Sequence, residues 1–151
     1  MAVSAYLYGH YLYYATTGST TNEMKWTANG MKCILCTSTY AVSQDAHKFY
    51  SNVTSELSTA NGYTAGGVSL TAQTATYDVS NNYVVLDGAD AVWANSTITA
   101  RYAVIYDVSS GADSASQVLV GYVDFGADQS SSSGTFTVQW SSAGIVRITV
   151  S

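Results

Sequence analysis

Apolar and polar residues alternate along much of the chain, which is the pattern of half-buried β-strands. Residues 96–108 show it most clearly, with one face formed by Ile98, Ala100, Tyr102, Val104 and Tyr106. Residues 117–126 are apolar almost throughout, which is typical of a central strand. The segments that we predict as strands are 31–37, 68–79, 83–87, 89–93, 96–108, 117–126, 135–140 and 145–151.

One segment has the spacing of a helix instead. Within SQDAHKFYSNVTSELS, the apolar residues are three or four positions apart, as on one face of a helix: Ala46, Phe49, Val53 and Leu57. Ser43 or Asp45 could cap its first turn. The spacing predicts one short α-helix at about 44–57.

The N-terminal residues are rich in tyrosine, and their pattern is ambiguous. Tyr6 and Tyr8 alternate as in a strand, whereas Tyr11 and Tyr14 follow Leu7 at helical intervals. Residues 16–22 have the composition of a loop. We therefore divide the chain into an N-terminal arm and loop at 1–22 and a single β domain at 23–151.

The arm could belong to the core or to an interface. It holds more tyrosines than one core face usually uses, and aromatic side chains are common anchors of protein interfaces. We predict a partner interface formed by Tyr6, Tyr8, Tyr11, Tyr13 and Tyr14. On this hypothesis, residues 2–15 could be deleted without unfolding the domain.

Charge is scarce in this sequence. Charged residues make up 10% of the 151 positions, the net charge is -5, and the five basic residues are dispersed. Nucleic acids and anionic membranes require clustered basic residues, so we expect neither as a partner. No basic leader and no run of 18 apolar residues is visible, which favours synthesis in a cytoplasm.

The most suggestive chemical motif is Cys33-Ile34-Leu35-Cys36, whose spacing resembles redox motifs and halves of zinc sites. Within a strand, three steps separate the two Cα atoms by about 10 Å, beyond the roughly 7 Å limit for a disulfide. The side chains would point to opposite faces, and further zinc ligands are lacking. We interpret both cysteines as small apolar core residues.

Other candidate chemistry is equally weak. His47 lies near Asp45, but no nucleophile motif accompanies them. The pairs Asp87/Asp90 and Asp124/Asp128 have the spacing of turns rather than of a calcium loop. We therefore expect no enzyme activity, no catalytic residue, no cofactor and no metal. Three tryptophans could stack on sugars, but strand tryptophans more often pack in a core: Trp26, Trp93 and Trp140.

Together the patterns predict an all-β chain. We expect an antiparallel sandwich or a jelly-roll-like domain with one short helix and an aromatic N-terminal arm. Abundant tyrosine, valine and threonine agree with this class because these residues fit pleated surfaces.

Several blocks in one order carry a resemblance to a known family: QDAHKF, GYTAGG, TITARYAVIYD, LVGYVDFG and the ending W-x-x-x-G-I-V-R-I-T-V. Over residues 24–151 the chain resembles a family of small virion structural proteins of tailed bacteriophages. The resemblance implies a non-enzymatic particle component, a capsid cement (decoration) protein on the outer capsid surface. Its implied partners are the major capsid protein and further copies of itself in a homotrimer. Two alternatives stay open: a tail, neck or fibre-associated virion protein, and a carbohydrate-binding adhesin module.

Overall fold

The computed structural model describes residues 2–17, 25–27 and 30–149, and β-strands dominate them. The single α-helix of this part of the chain, α1, spans Gly9–Thr17. The strands are β1 (Ser4–Leu7), β2 (Met31–Cys36), β3 (Val68–Ser69), β4 (Thr74–Asp78), β5 (Tyr83–Asp87), β6 (Ala91–Ser96), β7 (Thr99–Asp107), β8 (Val118–Ser130), β9 (Gly134–Val138) and β10 (Val146–Thr149). The all-β prediction is confirmed, and the predicted strand at 83–87 has the observed bounds of β5.

The largest sheet has five antiparallel strands in the order β1-β8-β7-β2-β3. One row of side chains runs across it through Ile34, Val104, Tyr122 and Tyr6. Its central strands are apolar on both faces, as in the buried sequences MKCILC and VLVG. Such continuous apolar runs are expected where both sides of a sheet are covered.

The first face of this sheet packs against two smaller antiparallel sheets, β10-β5-β4 and β6-β9. The core between them includes Leu35 and Val120 from the large sheet, with Trp93, Phe136 and Leu86 from the smaller sheets. This packing of sheet on sheet is the predicted sandwich arrangement.

The second face is covered by irregular chain instead of a third layer of strands. Tyr40, Val42 and Val53 pack there against the row of Ile34 and Val104. This covering segment contains residues 44–57, where the prediction of an α-helix is wrong. Only one 3-10 turn, Tyr50–Asn52, forms within it.

The backbone contacts of this segment explain the error. Tyr50 N donates to Gln117 O at 2.8 Å, and Leu57 N donates to Leu35 O at 2.9 Å. Segment 44–57 therefore forms part of its backbone hydrogen bonds with Leu35 in β2 and with Gln117 just before β8, which are remote in sequence. A helix would have to break those hydrogen bonds. The apolar spacing that suggested a helix does not mark one shared face, because Val53 packs on the second face, Leu57 packs in the core between the sheets, and Ala46 is exposed.

The N-terminal residues are part of the fold. β1 pairs antiparallel with β8 from Ser4↔Asp124 to Leu7↔Gly121, and α1 follows after Tyr8. The N-terminal pattern was compatible with a strand and with a helix, and the structure contains both, one after the other. No helix among the described residues is long and apolar enough to cross a membrane.

Candidate functional site

The structure divides the five predicted interface tyrosines into two groups. Tyr8 is 0% exposed and Tyr11 is 5% exposed, so both are core residues that a partner cannot reach. Tyr14 is half-buried and lies near Phe49, with ring centroids 6.1 Å apart. Tyr6 and Tyr13 remain exposed, at 47% and 59%. The prediction that these two contact a partner stays a prediction.

Tyr8 fixes the N-terminal element to the domain. Its backbone N–H donates to Val120 O at 3.1 Å, which extends the pairing of β1 with β8. Its hydroxyl lies 2.8 Å from the hydroxyl of Tyr40, which in turn lies 3.0 Å from His47 Nδ1. Burial raises the pKa of Tyr8 well above its ordinary value. Deleting residues 2–15 would remove this anchor and Tyr11, so we now expect the deletion to destabilise the domain.

The exposed side of the same element is apolar and uncharged. Of the seven large apolar side chains that the described residues expose, four lie within residues 3–13: Val3, Tyr6, Leu12 and Tyr13. We call these four the N-terminal aromatic surface; Val3 and Tyr6 lie on opposite faces of the β1 edge, because side chains alternate along a strand. Residues 2–17 contain no Asp, Glu, Lys or Arg. Exposed apolar side chains concentrated on a folded, anchored element are a typical feature of interaction surfaces.

The neighbouring part of the large sheet supports this surface. Tyr6 stacks on Tyr122 with ring centroids 5.3 Å apart. Beside them, Arg101 Nε donates to Asp124 Oδ1 at 2.6 Å, and Gly126 N donates to the same oxygen at 2.8 Å. The hydrogen bond from Arg101 lowers the pKa of the Asp124 carboxyl. The aromatic pair therefore borders a fixed ion pair that is itself partly exposed.

A polar cluster lies elsewhere, at Glu56. Its carboxylate accepts hydrogen bonds from the Tyr50 hydroxyl, from the Tyr63 hydroxyl at 2.7 Å and from Gly66 N at 2.6 Å. Tyr63 also accepts from Leu35 N at 3.2 Å. These contacts join segment 50–66 to β2, so we assign Glu56 a structural role.

We expect Glu56→Ala to lower the free energy of unfolding by about 2–4 kcal/mol, because three donors lose a charged acceptor. Glu56→Gln keeps an acceptor oxygen and should lose less than half as much. Urea unfolding followed by circular dichroism measures both values. An unfolding curve of Glu56→Ala that overlays the wild type would contradict the structural role.

The cysteine interpretation agrees with the structure. Cys33 and Cys36 are unpaired and buried, and they lie in separate core clusters on opposite faces of the large sheet. Burial raises the pKa of both thiols far above their ordinary value, which disfavours the reactive thiolate. No group of three or more His, Cys, Asp or Glu within residues 2–17, 25–27 and 30–149 could hold a metal ion.

The other candidate residues have structural contacts. His47 lies outside any helix and bonds to Tyr40, and Asp90 Oδ1 accepts from Trp140 N at 2.9 Å. Trp26 and Trp93 are buried, which leaves Trp140 as the half-buried tryptophan of the predicted three. Sequence reasoning missed the Arg101–Asp124 pair, Tyr122 and the Glu56 cluster. Of these, only the surroundings of Tyr122 could have been anticipated, because the alternating tyrosines of residues 96–108 indicate an aromatic face on that strand.

Fold and site together define an all-β sandwich domain that exposes an anchored, uncharged aromatic surface at its N-terminal edge. The chain matches no protein-family model, no curated protein and no solved structure.

Proposed function

We propose that this protein is a non-enzymatic structural component of a tailed-bacteriophage particle, acting as a capsid cement protein. The observation that carries the proposal is the concentration of exposed apolar side chains on the N-terminal aromatic surface. The sequence resemblance over residues 24–151 supplies the class of particle. The partners in this proposal are the major capsid protein and further copies of the chain in a trimer.

The physical argument rests on how this surface is presented. Tyr6 and Tyr13 are large side chains with few rotatable bonds, so ordering them at an interface costs little entropy. β1 holds Tyr6 on the large sheet, and the Tyr8 anchor holds the start of α1, which carries Tyr13, beside it; both lower the ordering cost further. Residues 2–17 contain no Asp, Glu, Lys or Arg, so contact through this element itself desolvates no carboxylate, ammonium or guanidinium group.

The test replaces both exposed tyrosines. We expect Tyr6→Ser combined with Tyr13→Ser to lower occupancy on particles at limiting protein concentration by more than tenfold, since interface anchors contribute about 2 kcal/mol or more each. Binding of purified protein to particles that lack it, followed by quantitative gel densitometry, measures occupancy. The melting temperature of the isolated variant should change little because both side chains are exposed.

Tyr77→Ser is the matched control. Tyr77 is 54% exposed, close to the 59% of Tyr13, but it lies on β4 outside the N-terminal aromatic surface. We expect its occupancy to equal that of the wild type. Equal losses for Tyr77→Ser and the double variant would contradict docking through the N-terminal element.

A further inference from the structure

The end of the second face of the large sheet, beside β1, is only partly covered. Tyr6 of β1 pairs with Tyr122 of β8. Two residues further along β8, Asp124 pairs with Tyr102 of β7. Side chains two residues apart on a strand point to the same face, so these four lie side by side. Arg101 joins them through its bond to Asp124, and we call the five residues, all of them half-buried or exposed, the tyrosine platform.

Each ring of the tyrosine platform is held by an aromatic neighbour. Tyr6 stacks on Tyr122, and the ring of Tyr122 lies 5.4 Å from that of the buried Tyr8. Tyr102 meets the ring of Tyr40 edge to face, with centroids 5.8 Å apart. A ligand that binds here therefore has few side chains to order, which lowers the cost of binding.

The tyrosine platform carries polar groups that the fold leaves without a partner. Among the residues that the structure describes, the hydroxyls of Tyr6, Tyr102 and Tyr122 form no hydrogen bond. Burial, and after it the neighbouring groups of the platform, raise the pKa of Tyr122, so these hydroxyls and the Asp124 carboxylate are close together. Hydroxyl groups both donate and accept, so the platform suits a ligand that does the same.

The two charges of the platform compensate each other. Arg101 Nε and Asp124 Oδ1 are 2.6 Å apart, and the guanidinium carbon lies 5.7 Å from the centroid of the Tyr102 ring. Asp124 Oδ2 contacts Arg101 Nη2 at 3.4 Å, which leaves it able to accept a shorter hydrogen bond from a ligand. The nearby Asp128 is exposed, so solvent screens its charge. An ionised ligand would be attracted by one member of the pair, repelled by the other and would lose hydration, so the platform favours a neutral ligand.

A pyranose sugar has both properties that the platform selects. The C–H groups of its ring form an apolar face that packs on aromatic side chains, and its hydroxyls donate and accept hydrogen bonds at the rim. We infer that the tyrosine platform binds a neutral saccharide, with one sugar ring against Tyr6 and Tyr122 and hydrogen bonds to the Tyr102 hydroxyl and Asp124 Oδ2. This inference goes beyond the proposed function and does not depend on it.

The test titrates the isolated full-length protein with three probes: the neutral tetrasaccharides of glucose, of galactose and of N-acetylglucosamine. NMR follows the ring signals of the tyrosines. We expect at least one probe to shift the signals of Tyr102 and Tyr122 to saturation, while those of Tyr77 on β4 stay unchanged. No shift on the platform with any of the three probes would overturn the inference.

Removing hydroxyl groups tests the assigned contacts. Tyr102→Phe combined with Tyr122→Phe keeps the ring packing, and we expect it to weaken binding of the active probe about fivefold or more, because two hydrogen bonds are lost. Tyr77→Phe is the matched control, since it removes an exposed hydroxyl outside the platform and should leave the affinity unchanged. Equal affinities of the double variant and the wild type would contradict the proposed contacts.

Charged analogues and protein concentration separate the saccharide from other occupants. Tetramers of glucuronate and of glucosamine should bind more weakly than the neutral probe, because each carries ionised groups that must lose hydration. Tighter binding of either would assign the platform to a charged ligand and overturn the inference. Shifts of Tyr102 and Tyr122 that grow with protein concentration alone, together with a dimer in sedimentation, would assign it to a second copy and also overturn it.

The outcome is independent of particle docking. Tyr6 belongs both to the platform and to the N-terminal aromatic surface, but the double variant at Tyr102 and Tyr122 leaves Tyr6 and Tyr13 in place. The saccharide titrations need no particle, so failure of saccharide binding and failure of docking are distinguishable.

Discussion

The fold is expected to be lost between about pH 10 and pH 12, because five tyrosines are buried in their neutral form. Burial raises the pKa of Tyr11, Tyr40 and Tyr106 from 10.0 to about 12 each. It raises the pKa of Tyr8 and Tyr63 further in the same direction. All five side chains are at most 5% exposed.

The free energy of unfolding depends on pH because the folded and unfolded states bind different numbers of protons in this range. Above pH 10 the unfolded chain loses tyrosine protons while the folded chain keeps them, so the free energy of unfolding falls as pH rises. At pH 11 each group that titrates at or above pH 12 in the fold contributes about 1.4 kcal/mol of this loss. Together the five tyrosines cost about 7 kcal/mol, which is comparable with the roughly 5–15 kcal/mol stability of a domain.

Tyrosinate absorbance at 295 nm and circular dichroism, recorded from pH 8 to pH 12.5, measure this transition. Because the other eight tyrosines add absorbance of their own, we expect the last part of the absorbance rise, from the five buried tyrosines, to coincide with the loss of circular dichroism. Tyr11→Phe removes one of the titrating hydroxyl groups and should raise the midpoint of this loss. Complete tyrosinate absorbance from all 13 tyrosines with the circular dichroism intact at pH 12 would show that the buried tyrosines ionise inside the fold.

Gly67→Ala is expected to lower the free energy of unfolding by about 3–5 kcal/mol. Gly67 has φ +69°, a conformation that costs an L-residue about 1–2 kcal/mol. A Cβ atom at this position would also lie 1.9 Å from the carbonyl oxygen of Cys33 in β2. This backbone cannot move without disturbing the centre of the large sheet, so the overlap adds the cost of overpacking.

Gly134→Ala is the control for Gly67→Ala. At Gly134 a Cβ atom would meet Ser132 O at 3.6 Å, which is ordinary contact, and its φ is outside the positive region. We expect this variant to unfold within about 1 kcal/mol of the wild type. Urea unfolding compares the two substitutions, and similar midpoints for both would contradict the close approach of Gly67 to β2.

The strands could be predicted because each pattern is local. β2 and β8 have apolar side chains on both faces, so their sequences alone mark them as central. The helix prediction for 44–57 is wrong because its apolar spacing does not mark one face: Val53 and Leu57 pack on opposite faces of the large sheet. Its actual conformation depends on backbone partners at Leu35 and Gln117, which are distant in sequence.

The candidate site could be predicted only in part, because it too depends on contacts between residues that are distant in sequence. The sequence marks the N-terminal tyrosines as unusual, but it cannot show that Tyr8 points at Tyr40 while Tyr6 lies on Tyr122. Those contacts depend on the register of β1 against β8.

Mass-spectrometric stoichiometry of purified phage particles that encode this chain tests the central proposal most directly. A capsid cement protein should be present in hundreds of copies per particle, in fixed ratio to the major capsid protein. Tens of copies or fewer would favour the tail or neck alternative. Absence of the chain from purified particles would contradict a structural role in the virion.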